Sequence, residues 1–133
     1  EDIEFFSEVI SLSNTIKSAE SYLVNYVIDA DASQLSAFSL DKIDKDYESV
    51  MRMVKSSRVN TNSQIERVLL GYRLPALLIY RMKTALDMGY SIHDVKPYYQ
   101  KYEKESRVNS WNNGLRSLKL YLAQRALKKQ LKD

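Results

Sequence analysis

The stretch Phe5–Tyr26, FFSEVISLSNTIKSAESYLVNY, sets Phe5, Val9, Leu12, Ile16, Ala19, Leu23 and Tyr26 in alternating steps of four and three. That spacing returns each side chain to one stripe of an α-helix, the pattern of a helix that buries a narrow face against other helices. Further seams of the same kind follow at Leu40, Ile43, Tyr47, Val50 and Val54, and at Ile65, Leu69, Tyr72, Ala76, Ile79 and Leu86. A fourth runs through Val108, Trp111, Leu115, Leu118 and Leu122. Four amphipathic segments predict an all-α chain, an antiparallel up-down-up-down four-helix bundle with helices at about 1–29, 33–57, 63–88 and 92–132. The fourth helix is the longest, and its last turns are expected to overhang the others.

The breaks between seams are legible as helix ends. Asp31 or Ser33 is placed to cap the second helix ahead of Leu35 and Phe38. The polar run Arg58-Val59-Asn60-Thr61-Asn62-Ser63 ends it, and Asn62 or Ser63 caps the third, with Glu66 in reach of a capping box with Ser63. Gly89 is the glycine placed as a helix C-cap, and Ser91 or its neighbours restart the chain. Short connections imply antiparallel neighbours. With 3 glycines, 2 prolines and no sustained alternation of period two, a sheet is not expected, and 133 residues suit a single domain spanning 1–133.

The net charge of +3 and pI near 9.0 come from one end. Arg116, Lys119, Arg125, Lys128, Lys129 and Lys132 face a lone acid, Asp133, so the first 115 residues together are net negative. Glu1, Asp2, Glu4 and Glu8 open the first helix, and each cluster complements its own helix dipole. A nucleic-acid binder would spread its cations over one face among aromatic residues, so no nucleic acid is expected as a partner.

Chemical constellations are tested by subtraction. The chain has no cysteine, which removes disulfides, thiol nucleophiles and thiolate metal sites. His93 is the only histidine and reads as a first-turn residue of the fourth helix; the position three before it is Tyr90, so the Glu-x-x-His of di-iron bundles is missing. Gly71, Gly89 and Gly114 are too scattered for a phosphate loop. We therefore expect no metal, no cofactor and no enzyme. The longest apolar run, Leu74–Tyr80 between Arg73 and Arg81, is far short of the ~20 residues that cross a bilayer.

One irregularity stands inside the third helix. Pro75 cannot donate to the carbonyl of Gly71 and clashes with it, so a kink is expected there. Antiparallel pairing puts Pro75 opposite Glu105 and Ser106, where the fourth seam fades. Either polar surface accommodates the kink, or it opens a polar pocket lined from Tyr72, Arg73, Tyr102, Asn109 and Trp111. A second tyrosine-rich zone, Tyr22 and Tyr26 beside Tyr98, reads either as the wet edge of a core or as further ligand contacts.

The run Ala19-Glu20-Ser21-Tyr22-Leu23-Val24-Asn25-Tyr26, followed by Asp29-Ala30-Asp31-Ala32-Ser33-Gln34-Leu35-Ser36-Ala37-Phe38, resembles the first hairpin of four-helix-bundle extracytoplasmic sensor domains. In these domains of bacterial chemoreceptors and sensor histidine kinases, a long helix ends in a short acidic turn and the next opens with a leucine and an aromatic. The match covers residues 16–40 and carries over no ligand residue. It implies a periplasmic domain of an inner-membrane receptor, flanked by membrane helices outside residues 1 and 133, dimerising along its first and fourth helices. Binding of a small molecule or partner protein would then displace the fourth helix. The alternatives are a cytoplasmic helical interaction or scaffold module and, more weakly, a small nucleic-acid-associated subunit using the basic C-terminal stretch.

Overall fold

The computed structural model describes residues 9–10, 38–56, 63–108 and 114–132, and every regular element among them is helical. Helix α1 spans Asp41–Lys55 and α2 spans Ser63–Val68. A π-helical segment, Leu69–Arg73, follows α2 directly and runs into α3, Leu74–Asp87. Helix α4 covers Ile92–Lys101 and α5 covers Leu115–Gln130. With α2, the π segment and α3 taken as one continuous run, these are four helical stretches. Of the expected first helix, only Val9 and Ile10 are described, and both are helical; the rest of 1–29, with the acidic turn and the hairpin after it, lies outside the described residues.

Helix α3 is central because its sequence is apolar nearly all round. It packs against α1, α4 and α5, and buries Leu74, Pro75, Ala76, Leu78, Ile79, Met82 and Ala85. Onto it α1 lays Ile43, Val50, Met53 and Val54, and α4 lays Val95 and Tyr99. Helix α5 adds Leu120 and Leu127, and Leu131 follows just beyond its end. The α1 seam thus faces the core as its spacing predicts, with Leu40 and Tyr47 half-buried at its margin.

The third helix closes on Gly89 as expected. Its φ of 92° lies in the left-handed region, and the Gly89 amide donates to Leu86 O while that of Tyr90 donates to Ala85 O, each at 3.0 Å. These paired bonds, which satisfy carbonyls the helix leaves open, form a Schellman motif. Ser91 then caps α4: its hydroxyl accepts from the Asp94 amide at 3.2 Å, while Asp94 Oδ2 accepts from the Ser91 amide at 3.0 Å. His93 is exposed in that first turn.

Several boundaries differ from the sequence reading. The expected helix 33–57 is not continuous: Phe38 and Ser39 are non-helical, the Ser39 hydroxyl is hydrogen-bonded to the Asp41 carboxylate and α1 begins at Asp41, while 33–37 lie outside the described residues. Ser63 is the first helical residue of α2 and not its cap, while Asn62 lies outside the described residues.

The expected long fourth helix, 92–132, is interrupted, and among the described residues it is two helices. It stops at Lys101 and passes through turns at 102–106, where Ser106 is fully buried and its hydroxyl donates to Glu103 O at 3.1 Å. A serine bonded back to a nearby carbonyl competes with the helical ladder, in a stretch whose apolar seam has lapsed. Helix α5 starts afresh after Gly114, whose φ of 53° and ψ of −121° are outside helical geometry.

Pro75 also behaves differently from a proline kinked toward polar surface. Its ring is fully buried, and the ladder loosens before it into the π turn, in which the Leu74 amide donates to Leu69 O, five residues back. A π turn adds one residue to the ladder where a missing amide would otherwise interrupt it.

Candidate functional site

Two polar junctions fix how α1, α4 and α5 meet. Asp44 Oδ1 on α1 accepts from Tyr102 OH at 2.5 Å and from Lys101 Nζ at 2.9 Å, both at the end of α4. The Tyr47 and Tyr102 rings lie 4.7 Å apart beside this junction. Partial burial pushes the Asp44 carboxyl upward, but the bonds from Tyr102 and Lys101 outweigh it and hold its pKa below the ordinary value. Burial, reinforced by the same carboxylate, pushes the Tyr102 phenol up. Just beyond, Glu103 meets Lys128 of α5 at 3.4 Å, and on the other side Arg81 Nε of α3 binds Asp46 Oδ2 at 2.7 Å. Of these contacts only the exposed Glu103–Lys128 pair reaches α5, which is held chiefly by its packing on α3 through Leu120 and Leu127.

Packed in this way, α5 presents two apolar faces. The inward one carries Ser117, Leu120 and Leu127, with Leu120 1% and Leu127 0% exposed. The outward one carries Leu115, Leu118 and Leu122, which are 76%, 44% and 54% exposed. At 3.6 residues per turn the outward leucines fall within about 60° of arc, on the side of the helix opposite the buried residues. These are residues that the fourth seam assigned to the core. The reading fails there because it carried the register of Val108 and Trp111 into α5, whereas Val108 is non-helical and α5 begins only after Gly114, whose backbone is outside helical geometry.

Past Leu122 the same outward side becomes cationic. Arg125, Ala126, Lys128, Lys129 and Lys132 line an open groove of about 430 Å³. Lys129 sits on the line of the three leucines, and no Asp or Glu occurs between Gly114 and Lys132. Arg125 also lies over the Tyr121 ring, 5.9 Å from its centroid, which directs its side chain along the helix. A second open groove, about 310 Å³, follows α1 between Tyr47, Glu48, Met51, Arg52 and Lys55.

The ligand residues expected from sequence are dispersed. Tyr72 is half-buried and Arg73 exposed, both in the π turn. Tyr98 is half-buried on α4, and Tyr102 is buried with its hydroxyl committed to Asp44. Tyr22, Tyr26, Asn109 and Trp111 lie outside the described residues. Neither groove is lined by any residue of this set. What the sequence reading missed is the second leucine stripe of α5, although the spacing of Leu120, Leu127 and Leu131 alongside Leu115, Leu118 and Leu122 signals a helix apolar on two sides.

None of the described helices is long and apolar enough to cross a membrane. Comparison with protein-family models, curated proteins and solved structures finds no match to this chain.

Proposed function

We propose that this chain is a helical protein-binding module, built as an up-down bundle, which docks a helix of a partner protein on the outward face of α5. The observation that carries this reading is the position of Leu115, Leu118 and Leu122, held in solvent by a helix whose opposite face is locked into the core. Leucines at i, i+3 and i+7 form the seam that a second helix packs into, knobs into holes. The reading is tested with a fluorescent helical peptide carrying a leucine seam between uncharged glutamine flanks. Wild-type chain is expected to bind it, and Leu118→Asp with Leu122→Asp to abolish binding while helicity and melting temperature hold. Equal binding by the double variant would contradict the reading.

A receptor reading has one observation of its own. Arg73, with Tyr72, sits in a π turn at the head of the helix that touches α1, α4 and α5, and such turns recur at functional sites. In this reading an extracytoplasmic sensor takes a small anion or amino acid near Arg73 and relays it through α3. Thermal-shift screening of wild type and Arg73→Ala tests it: a ligand stabilises by mass action, and an unchanged shift in the variant removes Arg73 as a contact.

A further inference from the structure

The docking face of α5 is asymmetric along its length, and this inference rests on the helix-binding reading above. We infer that its partner is an acidic amphipathic helix, seated with its apolar seam on Leu115, Leu118 and Leu122 and its carboxylates along Arg125, Lys129 and Lys132. Charge complementarity selects this partner. Lys119 flanks the leucines on one side and Arg125 and Lys132 on the other, with no acid in the sequence between Gly114 and Lys132, and among the groove's cations it is Lys128, farthest round from the leucines, that Glu103 pairs with. The groove of about 430 Å³ continues the leucine stripe and is lined by four cations and one alanine. A partner helix lying along α5 therefore meets apolar surface first and positive charge next, and like-charged partners are repelled along the whole rim.

The geometry favours a helix over a lipid surface. Adsorption to a bilayer uses an apolar face of ~100° or more, whereas these leucines span about 60°. Lys129 sits on their line, where acyl chains would have to bury its charge but a facing carboxylate would pair with it. Nucleic acid gains nothing from the leucines, and Tyr121, the ring beside the cations, already carries the Arg125 guanidinium over its face, where a base would have to stack.

The test is fluorescence anisotropy of the full chain with three designed helical peptides sharing one leucine seam and differing only in glutamate, glutamine or lysine flanks. A second receptor carries Glu1→Gln, Asp2→Asn, Glu4→Gln and Glu8→Gln, so that the chain's own acidic head does not compete. On at least one receptor, the glutamate peptide is expected to bind about tenfold tighter than the glutamine peptide, as several exposed ion pairs acting together would give. That advantage shrinks as salt passes about 0.1 M. Lys129→Glu with Lys132→Glu is expected to erase the advantage and leave the glutamine peptide unaffected. Equal binding of glutamate and glutamine peptides to both receptors would overturn the acidic partner while leaving the helix-binding face intact. Binding of no peptide would overturn both, as would binding only to phosphatidylcholine vesicles in which about one lipid in four is phosphatidylglycerol.

Discussion

Leu118 and Leu120 stand two positions apart on α5 and face opposite ways, the first 44% exposed and the second 1%. Two residues turn an α-helix through about 200°, so one leucine is held in the core by α3 while the other projects away from it. The pair separates what stabilises this fold from what is available to a partner. Leu120→Ala is expected to cost roughly 2–5 kcal/mol by removing buried methyl groups and leaving a cavity, and Leu118→Ala less than about 0.5 kcal/mol. Urea denaturation of the two variants checks this, with the ordering Leu118→Ala above Leu120→Ala.

The junction at Asp44 predicts an acid-dependent loss of stability. Bonds from Tyr102 and Lys101 lower its folded pKa, so its contribution is present above the unfolded value of about 3.9 and fades as pH falls through the lower folded value. Asp44→Asn removes the charge and should cost roughly 1 kcal/mol at neutral pH. Its difference from wild type should narrow at the acidic end of a thermal-denaturation series, because protonation removes the same charge.

Gly89 predicts a purely conformational cost. A Cβ there meets nothing within 4 Å, yet φ is 92°. Gly89→Ala is therefore expected to destabilise by about 1–2 kcal/mol through left-handed strain alone, and Gly89→Asn by less. Melting temperatures of the two variants decide the ordering.

The π turn predicts that Pro75→Ala does not restore a regular α-helix. Closing the turn to α geometry would rotate α3 by about 100° relative to α2 and swing Leu78 and Met82 out of the core. The variant should keep the Leu74 to Leu69 bond and lose stability through the shrunken side chain. A structure of Pro75→Ala with unbroken α hydrogen bonding through 69–75 would contradict this.

Local chemistry was legible in the sequence where a few neighbouring residues decide the outcome. Gly89 with Ser91 and Asp94 closes one helix and opens the next through bonds spanning no more than five residues, and the α1 seam of Ile43, Val50 and Val54 needs only a constant period. The orientation of α5 is not local. Leu115–Leu131 contains two leucine stripes of comparable strength, and which one enters the core is set by α3 and by the restart at Gly114. The Asp44 to Tyr102 bond joins residues 58 apart, beyond any spacing rule. The candidate ligand residues shared a polar, aromatic character but no common wall, since Tyr102 turns inward to Asp44 while Arg73 faces solvent.

The docking face is tested most directly by site-specific labelling, which the absence of cysteine makes clean. Leu118→Cys, Leu120→Cys and, as a distant exposed control, Lys104→Cys are each reacted with a maleimide, alone and with saturating glutamate-flanked leucine-seam peptide. The account predicts fast labelling at 118 and 104 and slow labelling at 120 in the free chain, with the peptide protecting 118 and leaving 104 unchanged. Labelling at 118 as slow as at 120 in the free chain, or undiminished when the peptide is bound, would contradict it.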